Sequence, residues 1–173
     1  LVDRIKVSQI DYLDMDTTFP GNMGGQWTQK LAYTLWEGIK DTADYLLSMH
    51  SQATKYSGNP YTVFKKVPGA DPQITKTIRE MALAFGVRPN CLVDLETAAG
   101  ELHGVTSGAL DITCIRAGIP AFMAELGPGG RFTRPFIDQT KTGFSNVLKY
   151  LKMLDGEPAP CPEKQILITK RTF

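Results

Sequence analysis

The segment IPAFMAEL, residues 119–126, constrains the fold more than any other stretch of the chain. It is nearly all apolar, strand-sized, and closed by a Gly-Pro-Gly-Gly turn. A strand that is apolar on both faces needs cover on both faces, as does a central strand of a parallel sheet flanked by helices. The neighbouring segments supply that cover. A helix is predicted from about Thr28 to Thr42, with Leu31, Leu35, Trp36 and Ile39 at helical spacing and Thr28 able to cap its start. DYLLSM (44–49) reads as a short buried strand, and YTVFKK (61–66) is rich in strand formers. DPQITKTIREMALAFG (71–86) is the clearest helix. Asp71 is placed to cap it, Pro72 suits its first turn, Gly86 suits the residue past its end, and Ile74, Ile78, Met81 and Phe85 form its stripe.

CLVDL (91–95) is the next candidate strand. A helix is expected over 106–118, starting at Thr106 or Ser107 and ending at Gly118, and another over 136–154 with Phe144, Val147, Leu148, Leu151 and Leu154 on one side. Helices thus alternate with buried strands, which predicts an α/β fold: a mixed, mainly parallel sheet with helices on both faces. Residues 1–155 are expected to form one α/β domain. Residues 156–173 are expected to form a Pro-rich linker and the first strand of a C-terminal β unit.

Composition narrows the function classes. The chain of 173 residues has a formal net charge of +1, and its longest basic run is Lys65-Lys66, so no nucleic acid partner is expected. No apolar run reaches the length of a membrane span. Cys91, Cys114 and Cys161 are far apart and form no C-x-x-C pair, which argues against a cysteine zinc site. Their odd number, without a signal peptide, favours the reducing cytoplasm. The absence of an initiator Met suggests a chain that begins inside a longer protein; processing or trimming is the plainer alternative.

Two residues share one layout. His50 ends one apolar strand and Glu125 ends another. In α/β sheets, ligands bind beyond the carboxyl ends of strands. A neutral imidazole there can bind zinc, and a carboxylate there can take a proton from a metal-bound water. The glycines after Glu125 would let a substrate approach the backbone. Each residue also has a plainer reading. A lone strand-end His is usually a hydrogen-bonded structural residue, and Glu125 can cap a helix or pair with Arg131 or Arg134. His103 is more naturally an exposed loop residue than a ligand, Asp94, Glu96 and Glu101 fit a solvated loop better than a cleft, and Cys114 fits the buried face of its helix.

Four segments in order, LDMDTTFPG, ADYLLSMHS, GIPAFMAELGPGG and GFSNVLKYLKML, resemble the succinylglutamate desuccinylase/aspartoacylase family of zinc-dependent deacylases, most nearly its N-acetyl-diaminobutyrate deacetylase-like branch. The resemblance implies a carboxypeptidase-like fold, here incomplete at its N-terminus, zinc as cofactor and hydrolysis of an amide in a small N-acylated amine or amino acid. A homo-oligomer is compatible with it. His50 matches the family's third zinc ligand and Glu125 its general acid/base.

The first two zinc ligands of the family lie in a G-x-H-G-x-E motif that this chain does not contain. The family's N-R pair reads Asp16-Thr17, so Thr17 cannot grip a substrate carboxylate as an Arg would. Lys6 stands where the branch has an Arg that steadies the oxyanion, and Ser48 stands where the family has an Asp. Lys6, Asp16, Thr17 and Arg131 complete the candidate substrate-binding set. The second reading is a non-catalytic relative that keeps the fold as a binding or structural module. A third is a metal-independent small-molecule binder using the loops around 51–60 and 127–135.

Overall fold

The computed structural model describes residues 6–52, 57–97, 108–129 and 131–170. In chain order the elements are α1 (Trp27–Lys40), β1 (Leu46–His50), β2 (Tyr61–Lys66), α2 (Pro72–Ala84), β3 (Pro89–Asp94), α3 (Leu110–Arg116), β4 (Ala121–Glu125), α4 (Arg134–Tyr150) and β5 (Ile166–Ile168), preceded by a single 3-10 turn at Met15–Thr17. The sheet order is β1-β4-β2-β3-β5. Three pairings are parallel, and β2 runs antiparallel to β4. The sheet is therefore mixed and mainly parallel, and IPAFMAEL does supply an interior strand.

Strand alternation separates two layers. Phe64, on β2, joins Ile78, Met81 and Phe85 of the α2 region in the main core, where the rings of Phe85 and Phe122 meet edge to face at 6.1 Å. Lys65, next along β2, points to the other side, where its Nζ meets Asp111 of α3. Helices α2 and α3 consequently cover opposite faces.

Local chemistry explains α2 as the sequence predicts. The Asp71 side chain accepts from the Gln73 N–H, Pro72 opens the helix, and Gly86 adopts φ +81° just past the end. Helix α1 differs in two ways. Its start is capped locally by Gln26 and Gln29, the Gln26 N–H donating to the Gln29 side chain at 2.7 Å, and its Thr28 N–H and hydroxyl both donate to Asp11, 17 positions away, at 2.7 Å each. Its buried face also runs through Thr28 and Ala32 to Trp36 and Ile39, leaving Leu31 and Leu35 exposed.

The buried strand expected at 44–49 is instead an edge strand of the sheet among the described residues, and Met49 is exposed. Helix α4 ends at Tyr150, earlier than its apolar pattern extends, and Phe144 and Leu154 are exposed. Helix α3 starts at Leu110; Thr106 and Ser107, the expected caps, lie outside the described residues. The strand expected after the Pro-rich segment forms at Ile166–Ile168 and joins the same sheet alongside β3. Asn146 of α4 ties that segment down, accepting from the Ala159 N–H at 2.8 Å and donating to its carbonyl at 3.1 Å. No helix among the described residues is long and apolar enough to cross a membrane.

Candidate functional site

β1 and β4 are parallel neighbours in a register that sets His50 directly beside Glu125. Neighbouring strands lie about 4.8 Å apart, so the two side chains leave the same face at the same carboxyl edge. Antiparallel β2 brings Tyr61 opposite Glu125 from the other side. The alternation places Ser48, His50, Met123, Glu125, Val63 and Lys65 on one face, the face of α3.

Asp16 reaches this face from the 3-10 turn. The turn is fastened by Asp14, whose carboxylate accepts from the Asp16 N–H at 3.1 Å and pairs with Lys6 at 2.8 Å. The Phe19 N–H donates to the Gly108 carbonyl at 2.8 Å. Gly108 has φ +90°, and a Cβ there would run into the Thr17 carbonyl. A glycine at 108 therefore lets the Asp16-Thr17 segment lie against the approach to α3.

The electrostatics follow from this convergence. Burial pushes the Glu125 carboxyl above its ordinary range; the charge of His50 opposes that shift and the nearby carboxylate of Asp16 adds to it. Asp16 is likewise pushed up by burial, against the pull of His50 and Lys65, with Asp111 reinforcing the rise. Glu125 Oε2 is buried with no hydrogen-bond partner. The His50 Nε2 lies 2.8 Å from the Ser48 hydroxyl, one residue pair back on the same strand. A half-buried carboxyl whose pKa is raised by burial holds a proton more readily than a carboxyl in water.

The other predicted residues are distributed as follows. Lys6 is exposed and engaged with Asp14, and that ion pair raises its pKa; its charge is still felt at both Asp16 and Glu125. Thr17 is exposed, and its hydroxyl donates to the Asp14 carbonyl. Arg131 is exposed. Arg134 pairs with Asp138 at 2.9 Å, so the pairing with Glu125 weighed from sequence does not form. Gly127 does not leave room for a ligand either, because the Phe136 ring occupies the space its side chain would fill. Asp94 and Glu96 share Lys66 at 3.0 and 3.2 Å on an exposed rim, and Cys114 is buried, its thiol pushed up to about 12 by burial. His103 and Glu101 lie outside the described residues.

Sequence reasoning missed the Lys65–Asp111 pair. Its 2.7 Å contact is almost fully buried on the site's face, and Asp111 Oδ2 has no partner. The signal available was slight: an acid among the apolar residues Leu110, Ile112, Cys114 and Ile115 of a helix, and a lysine on the inward phase of a strand.

A catalytic zinc takes three protein ligands and leaves one position open. Among the described residues, no three His, Cys, Asp or Glu side chains are grouped so as to hold an ion. His50 is one imidazole donor, and the described residues by themselves do not make up a zinc site.

No family model matches the chain. It is 26% identical over 163 residues to the N-alpha-acetyl-L-2,4-diaminobutyric acid deacetylase of Halomonas elongata, covering 94% of this chain and 45% of that protein. The crystal structure of a succinylglutamate desuccinylase/aspartoacylase from Rhodobacter sphaeroides matches with a TM-score of 0.78 at 25% identity, over 96% of this chain and 47% of that one. The product-bound ectoine utilization protein EutE from Ruegeria pomeroyi shares the fold with a TM-score of 0.80 at 21% identity, over 96% of this chain and 47% of that one. The chain spans about half the length of the relatives it matches. With His50 and Glu125 at paired strand ends, the chain is similar in sequence and in fold to proteins of the succinylglutamate desuccinylase/aspartoacylase family over about half of their length.

Proposed function

We propose that this chain is part of a deacylase that hydrolyses the amide bond of a small N-acylated amine or amino acid. The observation that carries the reading is the register of His50 beside Glu125 at the carboxyl edge of two parallel strands. The activity named for the Halomonas elongata relative supports it. Glu125 acts as general acid/base. It accepts a proton from the attacking water and delivers it to the departing amine. Its buried Oε2 and raised pKa suit a group that must carry that proton between two steps. Asp16 and Lys6 border the substrate, with Thr17 and Arg131 at the rim.

Zinc is the proposed cofactor. It would supply a polarised carbonyl and a more acidic water when bound, with His50 as one ligand. The remaining ligands would come from outside the described residues. The proposed compartment is the cytoplasm.

The test is amine release from N-acetylated diamino acids and N-acylated amino acids by the protein expressed from its own gene, with metal content measured in parallel. Glu125→Gln should abolish turnover and leave metal content unchanged, whereas His50→Ala should lower metal content. A native protein that folds, carries no stoichiometric metal and releases no amine supports the second reading, a non-catalytic relative used as a binding or structural module. That reading draws on the Asp16-Thr17 and Ser48 replacements and on the lack of a three-donor group among the described residues.

A further inference from the structure

We propose that Asp16 and Asp111 form a subsite for a protonated amine on the face that carries Glu125, and that the ligand it selects is an N-monoacylated diamine. Among the described residues, two buried side-chain atoms have no hydrogen-bond partner, Asp111 Oδ2 and Glu125 Oε2. Both are carboxylate oxygens, and both belong to the α3 side of the sheet. Asp111 is 3% exposed. Its Oδ1 accepts from Lys65 Nζ at 2.7 Å and from the Ile112 N–H at 2.8 Å, which leaves Oδ2 with nothing. An ionised carboxylate only accepts, so whatever fills that position must donate.

The fold brings Asp16 to the same place. Asp111 stands in the first turn of α3, and three residues before it Gly108 lies against the Thr17 carbonyl and accepts from the Phe19 N–H at 2.8 Å. The Asp16-Thr17 segment is thereby fastened to the start of α3. The Asp16 carboxyl is within electrostatic reach of His50, Lys65 and Asp111, and Glu125 is within reach of Asp16. Among the described residues the Asp16 side chain makes no hydrogen bond; its backbone N–H is what Asp14 holds.

Charge decides what kind of donor fits. Asp16, Asp111 and Glu125 share this face, and the buried Lys65 matches Asp111 alone. Lys6 is at the surface and already paired with Asp14 at 2.8 Å. An ammonium brings three donors and a positive charge together, which answers both the free oxygen and the surplus of carboxylates. Water brings donors without the charge, and a ligand carboxylate would add a further negative group. The subsite stands on this geometry. Its reading as the place of the substrate's second nitrogen rests on the deacylase proposal.

The experiment is an NMR titration of the isotope-labelled full chain with three probes. N-acetylputrescine carries a cation, N-pentylacetamide replaces its ammonium with a methyl group, and N-acetylaspartate is an anion. The cationic amide should bind tighter than the neutral one by about tenfold or more, with N-acetylaspartate weakest. Asp16→Asn and Asp111→Asn should each bring the cationic and neutral amides close together. Should Asp111→Asn fail to fold with Lys65 left unpaired, Asp16→Asn decides, because that side chain holds no other group in place. Equal binding of the cationic and neutral amides, tighter binding of N-acetylaspartate, no shift with N-acetylputrescine, or a preference kept in Asp16→Asn overturns the proposal. Every arm reads binding, so a protein that releases no amine leaves the test intact, and a failed subsite leaves the deacylase reading to its own assay.

Discussion

Lys65 and Asp111 form the ion pair on which most depends at the level of single side chains. Both are nearly inaccessible, so each charge is tolerated only because of the other. Lys65→Met should leave Asp111 buried and unpaired, at a cost of about 3–5 kcal/mol, read as a lower urea midpoint. The double variant Lys65→Met/Asp111→Leu should recover much of that loss, since it removes the orphaned charge. Glu125 presents the opposite case. Its folded-state pKa lies above the ordinary value through burial. The folded chain therefore holds the proton more tightly, which favours folding below the unfolded pKa near 4 and is lost as pH rises through the raised value. Glu125→Gln should be more stable than wild type at neutral pH, with urea midpoints converging near about pH 3. A midpoint for Glu125→Gln below wild type at neutral pH would show that the carboxylate is stabilised where it sits.

Among the elements, α2 and α4 set the depth of the main core. Gly143 of α4 faces Phe85, and a Cβ at 143 would fall 2.7 Å from its ring. The two helices approach this closely because the side chain is absent. Gly143→Ala gains helix propensity, worth up to about 1 kcal/mol. It also overpacks a rigid contact, at about 1–3 kcal/mol, and the overpacking should win. The expected result is a net loss of stability with unchanged circular dichroism. A stabilised variant would mean that α4 can shift outward without disturbing Phe85. Helix α1 is attached differently, through the long-range Asp11–Thr28 bonds and the buried Ala32, while Trp27, Leu31 and Leu35 stay in solvent.

For the molecule as a whole, the prediction concerns metal. The described residues offer one imidazole at the carboxyl edge and no group of three donors. A single imidazole replaces little of an ion's hydration, and catalytic zinc is normally held by three protein ligands. The 173-residue chain should therefore bind zinc weakly in titration calorimetry and release no amine from N-acyl substrates. Submicromolar binding abolished by His50→Ala would reveal a complete site within the chain.

The sequence by itself determined the elements whose signals are local. The cap, proline and terminal glycine of α2, the apolar run of β4, and the ends of two strands at His50 and Glu125 all depend on residues within a few positions of one another. Hydrophobic period and turn chemistry act at that range. The four ordered segments added what no spacing could, a resemblance to a family in which those two strand ends belong together. What only the tertiary structure decided is everything that depends on partners distant in the chain. Asp11 binds Thr28 of a helix 17 residues away, Lys65 finds Asp111 46 residues on, and the buried side of α1 runs through Ala32, leaving Leu31 in solvent. The side chain of Phe136 fills the space that Gly127 leaves open. β2 enters antiparallel beside β4, which puts Tyr61 across from Glu125. These pairings are chosen by close packing and by the cost of burying an unpaired charge, which are properties of the assembled interior and leave no periodic trace along the chain.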